Sequence, residues 1–260
     1  HKCITNIFHY CSLFMIIQAA IMKYVCNAFM LIEYRKFQEA IVEVNEGIDF
    51  ISKTDSAIFL FWMYSHKALL QIMTGDVKGA ESTLESACEM RSEIQTAPMQ
   101  VRDFLSGNFR VMLFRLEESL KAGASSEIAT YKTNALKAGK EAVKNSQKVV
   151  FERVEVYRCM GIYHWLVNRQ KKALHWWGRS IAEGERLGAR VELSRTYFEV
   201  GKRLLESKSK HKTLNNIKAE EYLDKAREMF EDLDLQWDLD ELERVAVNFG
   251  ADHHISHCSK

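Results

Sequence analysis

The stretch "YRCMGIYHWLVNRQKKALHWWGRS" (Tyr157–Ser180) carries the spacing that decides the fold. Its recurring side chains stand three or four residues apart: first Tyr157 and Gly161, then Ala173, Trp177 and Ser180. Residues at this spacing lie on one face of an α-helix. The stretch therefore predicts two antiparallel helices that approach closely at Gly161, with the ring of Trp177 filling the space beside it. Trp176, one residue round the helix, is expected to face the next hairpin or a partner.

The same pattern occurs four times along the chain. The first helices carry a tyrosine followed four residues later by a small residue: Tyr24/Ala28, Tyr64/Ala68, Tyr157/Gly161 and Tyr197/Gly201. The second helices carry a small, a bulky and another small residue: Ala40/Val44/Gly47, Ala80/Leu84/Ala87, Ala173/Trp177/Ser180 and Ala219/Leu223/Ala226. The last of these is displaced by six extra residues in the polar loop "SKSKHKTLNN" (Ser207–Asn216). Because one helical hairpin cannot bury its apolar face alone, neighbouring hairpins are expected to stack.

This order of aromatic, small, then small, bulky and small residues resembles the tetratricopeptide repeat (TPR). A second good match is "YSHKALLQIMTGDVKGAESTLESA" (Tyr64–Ala87). Neighbouring copies are 40 residues apart, as from Ala28 to Ala68, whereas the usual period is about 34. The proline that often closes a unit is also missing, and longer helices explain both departures. The resemblance implies an all-α, right-handed superhelix of about five TPR-like αα-hairpins with a C-terminal capping helix.

The repeats predict one helical domain over residues 1–249, followed by a flexible tail at 250–260. The expected hairpins span residues 7–53, 55–94, 98–147, 150–187 and 190–232, and the cap spans 237–249. The hairpin at 98–147 is a divergent one, placed there because 93 residues separate Ala68 from Gly161. Asp238 is the expected N-cap of the closing helix.

The composition agrees with a helical chain that works in the cytoplasm. One proline and twelve glycines among 260 residues leave long helices uninterrupted. Thirty-six basic against thirty-five acidic residues argue against a dedicated nucleic-acid binder. Six cysteines without a C-x-x-C pair indicate free thiols in a reducing compartment. The charge is locally uneven, since Lys218–Arg244 holds eleven acidic and four basic residues.

The apolar segment "IFHYCSLFMIIQAAIMKYVCNAFMLI" (Ile7–Ile32) is long enough to span a membrane. Four polar residues interrupt it: His9, Gln18, Lys23 and Asn27. We therefore expect a buried helix of the repeat array and no membrane partner, with a membrane segment as the alternative. The chain does not begin with methionine, and we expect it to be a piece of a longer protein.

The motifs of nucleotide-binding loops, zinc proteases and serine hydrolases do not occur in this sequence. We therefore expect no enzyme activity, no cofactor and no functional metal site. His66 is expected to face the concave side and His164 to be a satisfied core histidine, each without an orienting carboxylate that the sequence identifies. A terminal cluster consists of His253, His254, His257 and Cys258. It is interpreted as a frayed tail, with adventitious metal binding as the alternative.

In a tetratricopeptide array, the first helices line a concave groove that usually binds peptides. The resemblance places nine candidate groove residues on these helices: Ser65, Leu69, Ile72, Arg158, Ile162, Trp165, Phe198, Lys202 and Leu205. Such a groove, apolar with scattered basic groups, suits an amphipathic helix or an extended apolar peptide. The lysine and asparagine that clamp a carboxylate in chaperone-binding members do not appear, because Ser65 and Leu69 occupy equivalent places.

A narrower resemblance covers Ala173–Glu243. It looks like the C-terminal repeat region of large bacterial signalling proteins, in which a nucleotide cyclase or kinase precedes an AAA-type ATPase module. This implies a non-catalytic interaction and regulatory segment that binds a protein or peptide, or upstream domains of the same polypeptide. One alternative is the ligand- or peptide-sensing segment of a transcription regulator resembling the maltose-operon activator. Another is an enzyme on a helical scaffold.

Overall fold

The computed structural model describes the backbone of residues 2–257 and the side chains of residues 14–247. It is 81% helical, which confirms the all-α class. The described backbone contains α1 (Lys2–Glu33), α2 (Phe37–Ser52), α3 (Ala57–Met73), α4 (Val77–Glu93), α5 (Arg102–Ala122), α6 (Ser125–Ser146), α7 (Arg153–Leu166), α8 (Gln170–Leu187), α9 (Arg190–Leu205), α10 (Ala219–Asp232) and α11 (Gln236–His257). A short 3-10 turn, Val150–Glu152, precedes α7.

The chain divides into two compact units, unit 1 over residues 1–111 and unit 2 over residues 112–260. In unit 1, α1 packs against α2, α3 packs against α4, and α2 also packs on α3. The side chains at the centre of unit 1 are aliphatic or aromatic and fully buried, among them Ile21, Ile32, Ile51, Phe61 and Met63. Their burial from water is the main stabilising contribution in such a core.

In unit 2, α7 packs closely against α8, and α9 packs against α10. The two helix pairs are joined by contacts between α8 and α9, while α11 packs on α10 and α6 packs on α7. The core of unit 2 is more aromatic, with Trp165, Trp177, Tyr222 and Phe230 all fully buried. The ring centroids of Trp165 and Trp177 are 5.5 Å apart, a distance at which aromatic pairs attract each other.

Six turns between consecutive helices share one backbone geometry. In each, one of the two residues that follow the first helix has a left-handed φ between 53° and 85°: Arg35, Gly75, Gly123, Asn168, Gly188 and Asp234. The amide of the following residue donates to a carbonyl five residues earlier, as from Arg169 to His164 (2.7 Å) and from Asp76 to Gln71 (2.8 Å). This is the Schellman arrangement, which satisfies carbonyls at the helix end. The hairpins therefore turn in a repeated way.

The structure departs from the expected boundaries in three places. The helices of the hairpin predicted at 98–147 are present, but α5 crosses the boundary between the two units and α6 packs on α7. The last helix begins at Gln236, so Asp238 lies inside its first turn and was wrongly predicted as the N-cap. The backbone of this helix extends to His257. The side chains of the predicted flexible tail, residues 250–260, are not among those that the structure describes.

The polar loop after α9 contains two short antiparallel strands, β1 (Thr213–Leu214) and β2 (Ile217–Lys218). Asn215 and Asn216 connect them, both with positive φ. Two consecutive left-handed residues form the turn that best matches the twist of a tight hairpin, and asparagine tolerates this conformation. The six-residue insertion is therefore an ordered β-hairpin at its end, where only a loop was predicted.

Among the described residues, one segment is long and apolar enough to span a membrane by length and composition: Phe14–Glu33 of α1. One face of this segment is buried in unit 1 through Ile21, Val25 and Ile32. The other side chains include exposed apolar ones, such as Phe14 and Ile16. The segment therefore packs in unit 1 along one face and exposes apolar side chains elsewhere, and the absence of a membrane partner stays a prediction.

Candidate functional site

The small residues predicted at the helix crossings are buried in both units. Ala28 and Ala68 are fully buried, and so are Ala40, Ala80 and Ala173 on the second helices. A methyl group added at Gly161 would overlap the indole ring of Trp177, and one added at Gly201 would come within 2.7 Å of Leu223 Cγ. The bulky residues of the second helices therefore occupy the space that these two glycines leave open. This part of the prediction is confirmed.

Trp177 is the aromatic centre of the α7–α8 pair, as predicted. It has 0% of its surface exposed, and its indole Nε1 donates to the carbonyl oxygen of Arg158 at 3.2 Å. Ser180, one turn further along α8, donates to the carbonyl of Val154 at 2.7 Å. These two hydrogen bonds join α8 to α7 and leave the polar atoms of both side chains partnered inside the core.

Trp176 contacts its own hairpin, where its ring is 5.3 Å from the ring of Tyr157 on the preceding helix. The expected contact with the next hairpin or with a partner stays a prediction. The guanidinium of Arg179 lies over both rings, 4.2 Å from the centroid of Tyr157 and 4.5 Å from that of Trp176. This cation–π arrangement holds the half-buried tryptophan on the hairpin surface.

The nine candidate groove residues fall into two groups. Ser65, Leu69, Arg158 and Trp165 are buried, while Ile72, Ile162, Phe198, Lys202 and Leu205 are half-buried. The Ser65 hydroxyl donates to the carbonyl of Phe61 within its own helix at 2.9 Å. Arg158 pairs with Glu192 (2.8 Å), and Trp165 Nε1 donates to Glu206 (2.8 Å). The buried four therefore act in packing and hydrogen bonding in this structure, and a binding role for the half-buried five stays a prediction.

A network of buried ion pairs in unit 2 was not predicted from the sequence. Arg203 is its centre and contacts Glu199 (2.7 Å), Glu206 (2.7 Å) and Glu117 (3.5 Å). Burial alone would raise the pKa of Glu199, but the charges of Arg203 and Lys202 hold it below its ordinary value. The four-residue spacing of Glu199 and Arg203 on one helix is the signal that could have indicated this pair.

A second part of the network joins α9 to α11. Arg195 Nε and Nη2 contact the two carboxylate oxygens of Asp238 at 3.2 and 3.1 Å, and Arg195 Nη1 contacts Glu192 at 2.9 Å. A two-point guanidinium–carboxylate pair fixes orientation as well as distance. The carboxylate of Asp238 is therefore buried in an ion pair with Arg195 and does not cap the helix.

In unit 1, His66 has an orienting carboxylate that the sequence did not identify. Its Nε2 is 3.1 Å from Asp103 Oδ2, and Trp62 Nε1 donates to the same oxygen at 2.5 Å. Burial would raise the pKa of Asp103, but the hydrogen bond and charge of His66 and the charge of Arg102 lower it overall. His66 is only 1% exposed. The expectation that it faces an open concave side was wrong, since the histidine–aspartate pair is closed to solvent.

His164 is a core histidine, as expected, but its hydrogen bonding is incomplete. It is 7% exposed, and its Nδ1 is buried without a hydrogen-bond partner. Burial, together with the nearby charges of Lys172 and Arg169, lowers the pKa of His164 to about 4. The imidazole is therefore neutral at physiological pH, and the nearby potential is positive.

No group of three or more potential ligands among the described side chains could hold a metal ion. The terminal cluster lies elsewhere: the side chains of His253, His254 and His257, and all of Cys258, fall outside the described residues. Neither the frayed-tail interpretation nor the adventitious-metal alternative is therefore tested.

No protein-family model and no curated protein matches this sequence. The resemblance to the tetratricopeptide repeat therefore rests on the spacing of small and bulky residues in the sequence.

Proposed function

We propose that this chain is a non-catalytic interaction and regulatory segment, built of TPR-like hairpins, of a larger bacterial signalling protein. The observation that carries the proposal is the burial of the small residue at all four predicted crossings, with the partner helix filling the space over Gly161 and Gly201. This packing lets the two helices of a hairpin approach closely, and hairpins of this kind stack into arrays. The step from such an array to binding follows the resemblance and not the fold alone.

The repeated turns support the assignment of the helices to TPR-like hairpins, because short connections with one backbone geometry recur between consecutive helices. The six Schellman turns share this geometry although their left-handed residues are of four different types: Arg35, Gly75, Gly123, Asn168, Gly188 and Asp234. The regularity therefore belongs to the backbone and is compatible with the irregular sequence.

The surface that would bind the partner consists of the half-buried first-helix residues of unit 2. Phe198 and Lys202 are one turn apart on α9, with the ammonium 6.0 Å from the ring centroid. Ile162 on α7 and Leu205 on α9 add apolar area. An aromatic ring beside a cation suits an amphipathic helix that carries an acidic residue next to its apolar face.

The partner is a protein segment in the cytoplasm, and the upstream catalytic module of the same polypeptide is the first candidate. Docking of that module on the repeats would restrain a cyclase or kinase, and release would activate it. Such a mechanism requires only that the two catalytic states bind the repeats with different affinity. It involves no nucleic acid, no membrane and no cofactor.

Isothermal titration of this chain against the purified upstream module of its gene tests the proposal. We expect a dissociation constant in the micromolar range and a change in catalytic rate on binding. Phe198→Ala combined with Lys202→Glu should weaken binding by about tenfold, the effect of losing one anchor residue. Lys225→Glu, an exposed change of the same charge on α10, serves as the control.

Two results would contradict the proposal. One is the absence of binding at high micromolar concentrations of both proteins. The other is equal weakening by the α9 and α10 variants, because a general electrostatic attraction would respond to both changes alike.

A further inference from the structure

An open cavity on the surface of unit 2 is lined by exposed, positively charged side chains. It has a volume of about 430 Å³ and lies between the α7–α8 turn and the polar loop after α9. Arg169, Lys171 and Lys172 line it from the turn and the start of α8, and Lys210 and His211 line it from the loop. Volumes of this order are typical of small-molecule sites. The loop contains the six extra residues that the repeat pattern does not require.

A buried glutamine holds the two walls of the cavity together. Gln170 is 6% exposed, and its amide Nε2 donates to the carbonyl oxygen of Lys208 at 2.8 Å. Its Oε1 accepts from the backbone amide of Lys210, also at 2.8 Å. Within the loop, the Ser209 hydroxyl donates to the carbonyl of His211 at 2.6 Å. The cationic side chains are therefore attached to a fixed backbone before any ligand arrives, which lowers the entropic cost of binding.

The positive charge of the cavity is not neutralised by the protein. No carboxylate lines it, and Arg169, Lys171, Lys172 and Lys210 form no ion pair with any described residue. Lys208, which does not line the cavity, pairs with Glu206 at 3.1 Å. The lowered pKa of His164, caused by burial and then by Lys172 and Arg169, is the response expected beside uncompensated positive charge.

We propose that this cavity binds a small soluble anion with two or more phosphate groups, such as pyrophosphate or the phosphate chain of a nucleotide. The guanidinium of Arg169 can form two parallel hydrogen bonds to one phosphate, while the lysines act as point charges around the others. The cavity also lies at the N-terminal end of α8, where the helix dipole favours an anion. Four cations line one small cavity, so they match an anion that carries several charges close together. The carboxylates of an acidic peptide are spaced further apart and match the cavity less well.

Calorimetric titration of the whole chain with inorganic pyrophosphate, at physiological salt, tests the site. We expect micromolar affinity, reduced at least about tenfold in the double variant Arg169→Gln/Lys210→Gln, because each charge-assisted contact is strong. The matched control, Lys132→Gln/Lys140→Gln, removes two exposed lysines of α6 and should change affinity by less than about twofold. A parallel titration with ATP distinguishes the sources: tighter binding than pyrophosphate indicates a nucleotide, and equal binding indicates the phosphates alone.

The variant Gln170→Ala tests how much the fixed position of the loop contributes to binding, apart from the charge of the lysines and the arginine. It leaves every cation in place but removes both bonds that hold the loop, so affinity should fall severalfold at unchanged net charge. The thermal unfolding midpoint of the Gln170→Ala variant shows whether unit 2 remains folded. If unit 2 unfolds in this variant, the two charge variants still test the site. Three outcomes would overturn the proposal: no heat of binding at millimolar pyrophosphate, equal weakening in both charge variants, or tighter binding of a glutamate-rich peptide than of pyrophosphate.

Discussion

His164 shows how one residue couples the core of unit 2 to pH. Its imidazole is buried, its Nδ1 has no hydrogen-bond partner, and two cations lie nearby. All three features disfavour the protonated form in the folded protein. In the unfolded chain the same histidine is solvated and titrates near its ordinary pKa of 6.5. Between these values the unfolded state binds a proton that the folded state does not.

We therefore predict that unit 2 loses stability as the pH falls from about 6.5 towards 4. The free energy of unfolding should decrease by about 2 kcal/mol between pH 7 and pH 5 from this group alone. His164→Leu should abolish most of that decrease, as measured by urea unfolding at the two pH values.

The control for this measurement is His175→Leu, since His175 is exposed on α8. This variant should keep the pH dependence of the unaltered chain. If His164→Leu and the unaltered chain lost the same free energy between pH 7 and pH 5, His164 would not be neutral in the folded protein.

At the scale of the element, the turns between helices require a left-handed backbone conformation at one position. The left-handed position after the helix is occupied by glycine in three turns, Gly75, Gly123 and Gly188, and by Asp234 in the turn before α11. Glycine adopts this conformation without a steric penalty, whereas most other residues do not. Asp234 is exposed, and no side-chain contact compensates for its strain within the described residues.

Opposite substitutions at two of these turns should therefore have opposite effects. Asp234→Gly should raise the free energy of unfolding by up to about 1 kcal/mol, and Gly188→Ala should lower it by about 1 kcal/mol. Both residues lie in unit 2, and space around Gly188 is open, so no clash contributes to its substitution. Urea unfolding of both variants gives the comparison, and a loss of stability in Asp234→Gly would show that the aspartate stabilises its turn.

The sequence predicted the helices better than their connections. In "TGD" (Thr74–Asp76) the glycine indicates a left-handed turn, but Arg35 gives no such signal, because arginine prefers other conformations. The pair Asn215–Asn216 could have indicated the β-hairpin in the polar loop. It was missed because the helical pattern on both sides led us to assign the whole insertion to a loop.

At the scale of the whole molecule, periodicity predicted which residues share a face but not what covers that face. Ser65, Leu69, Arg158 and Trp165 are on first helices as expected, yet neighbouring helices and ion pairs bury them. A residue that packs between repeats and one that lines a groove have the same spacing, so sequence alone does not separate them. The small residues were predicted correctly because close helix crossings restrict side-chain size directly.

The central claim is that the two helices of a hairpin pack closely through small residues on the first helix and bulky residues on the second. Urea unfolding of Gly161→Ala and Gly178→Ala tests it most directly, because both glycines are helical but only Gly161 faces a crowded crossing. Gly178→Ala should stabilise the protein by about 0.5–1 kcal/mol through helix propensity. Gly161→Ala should destabilise it by about 1–3 kcal/mol, because the added methyl group displaces the ring of Trp177. Equal stabilisation by both substitutions would contradict the account, since it would mean that α7 and α8 do not approach closely at Gly161.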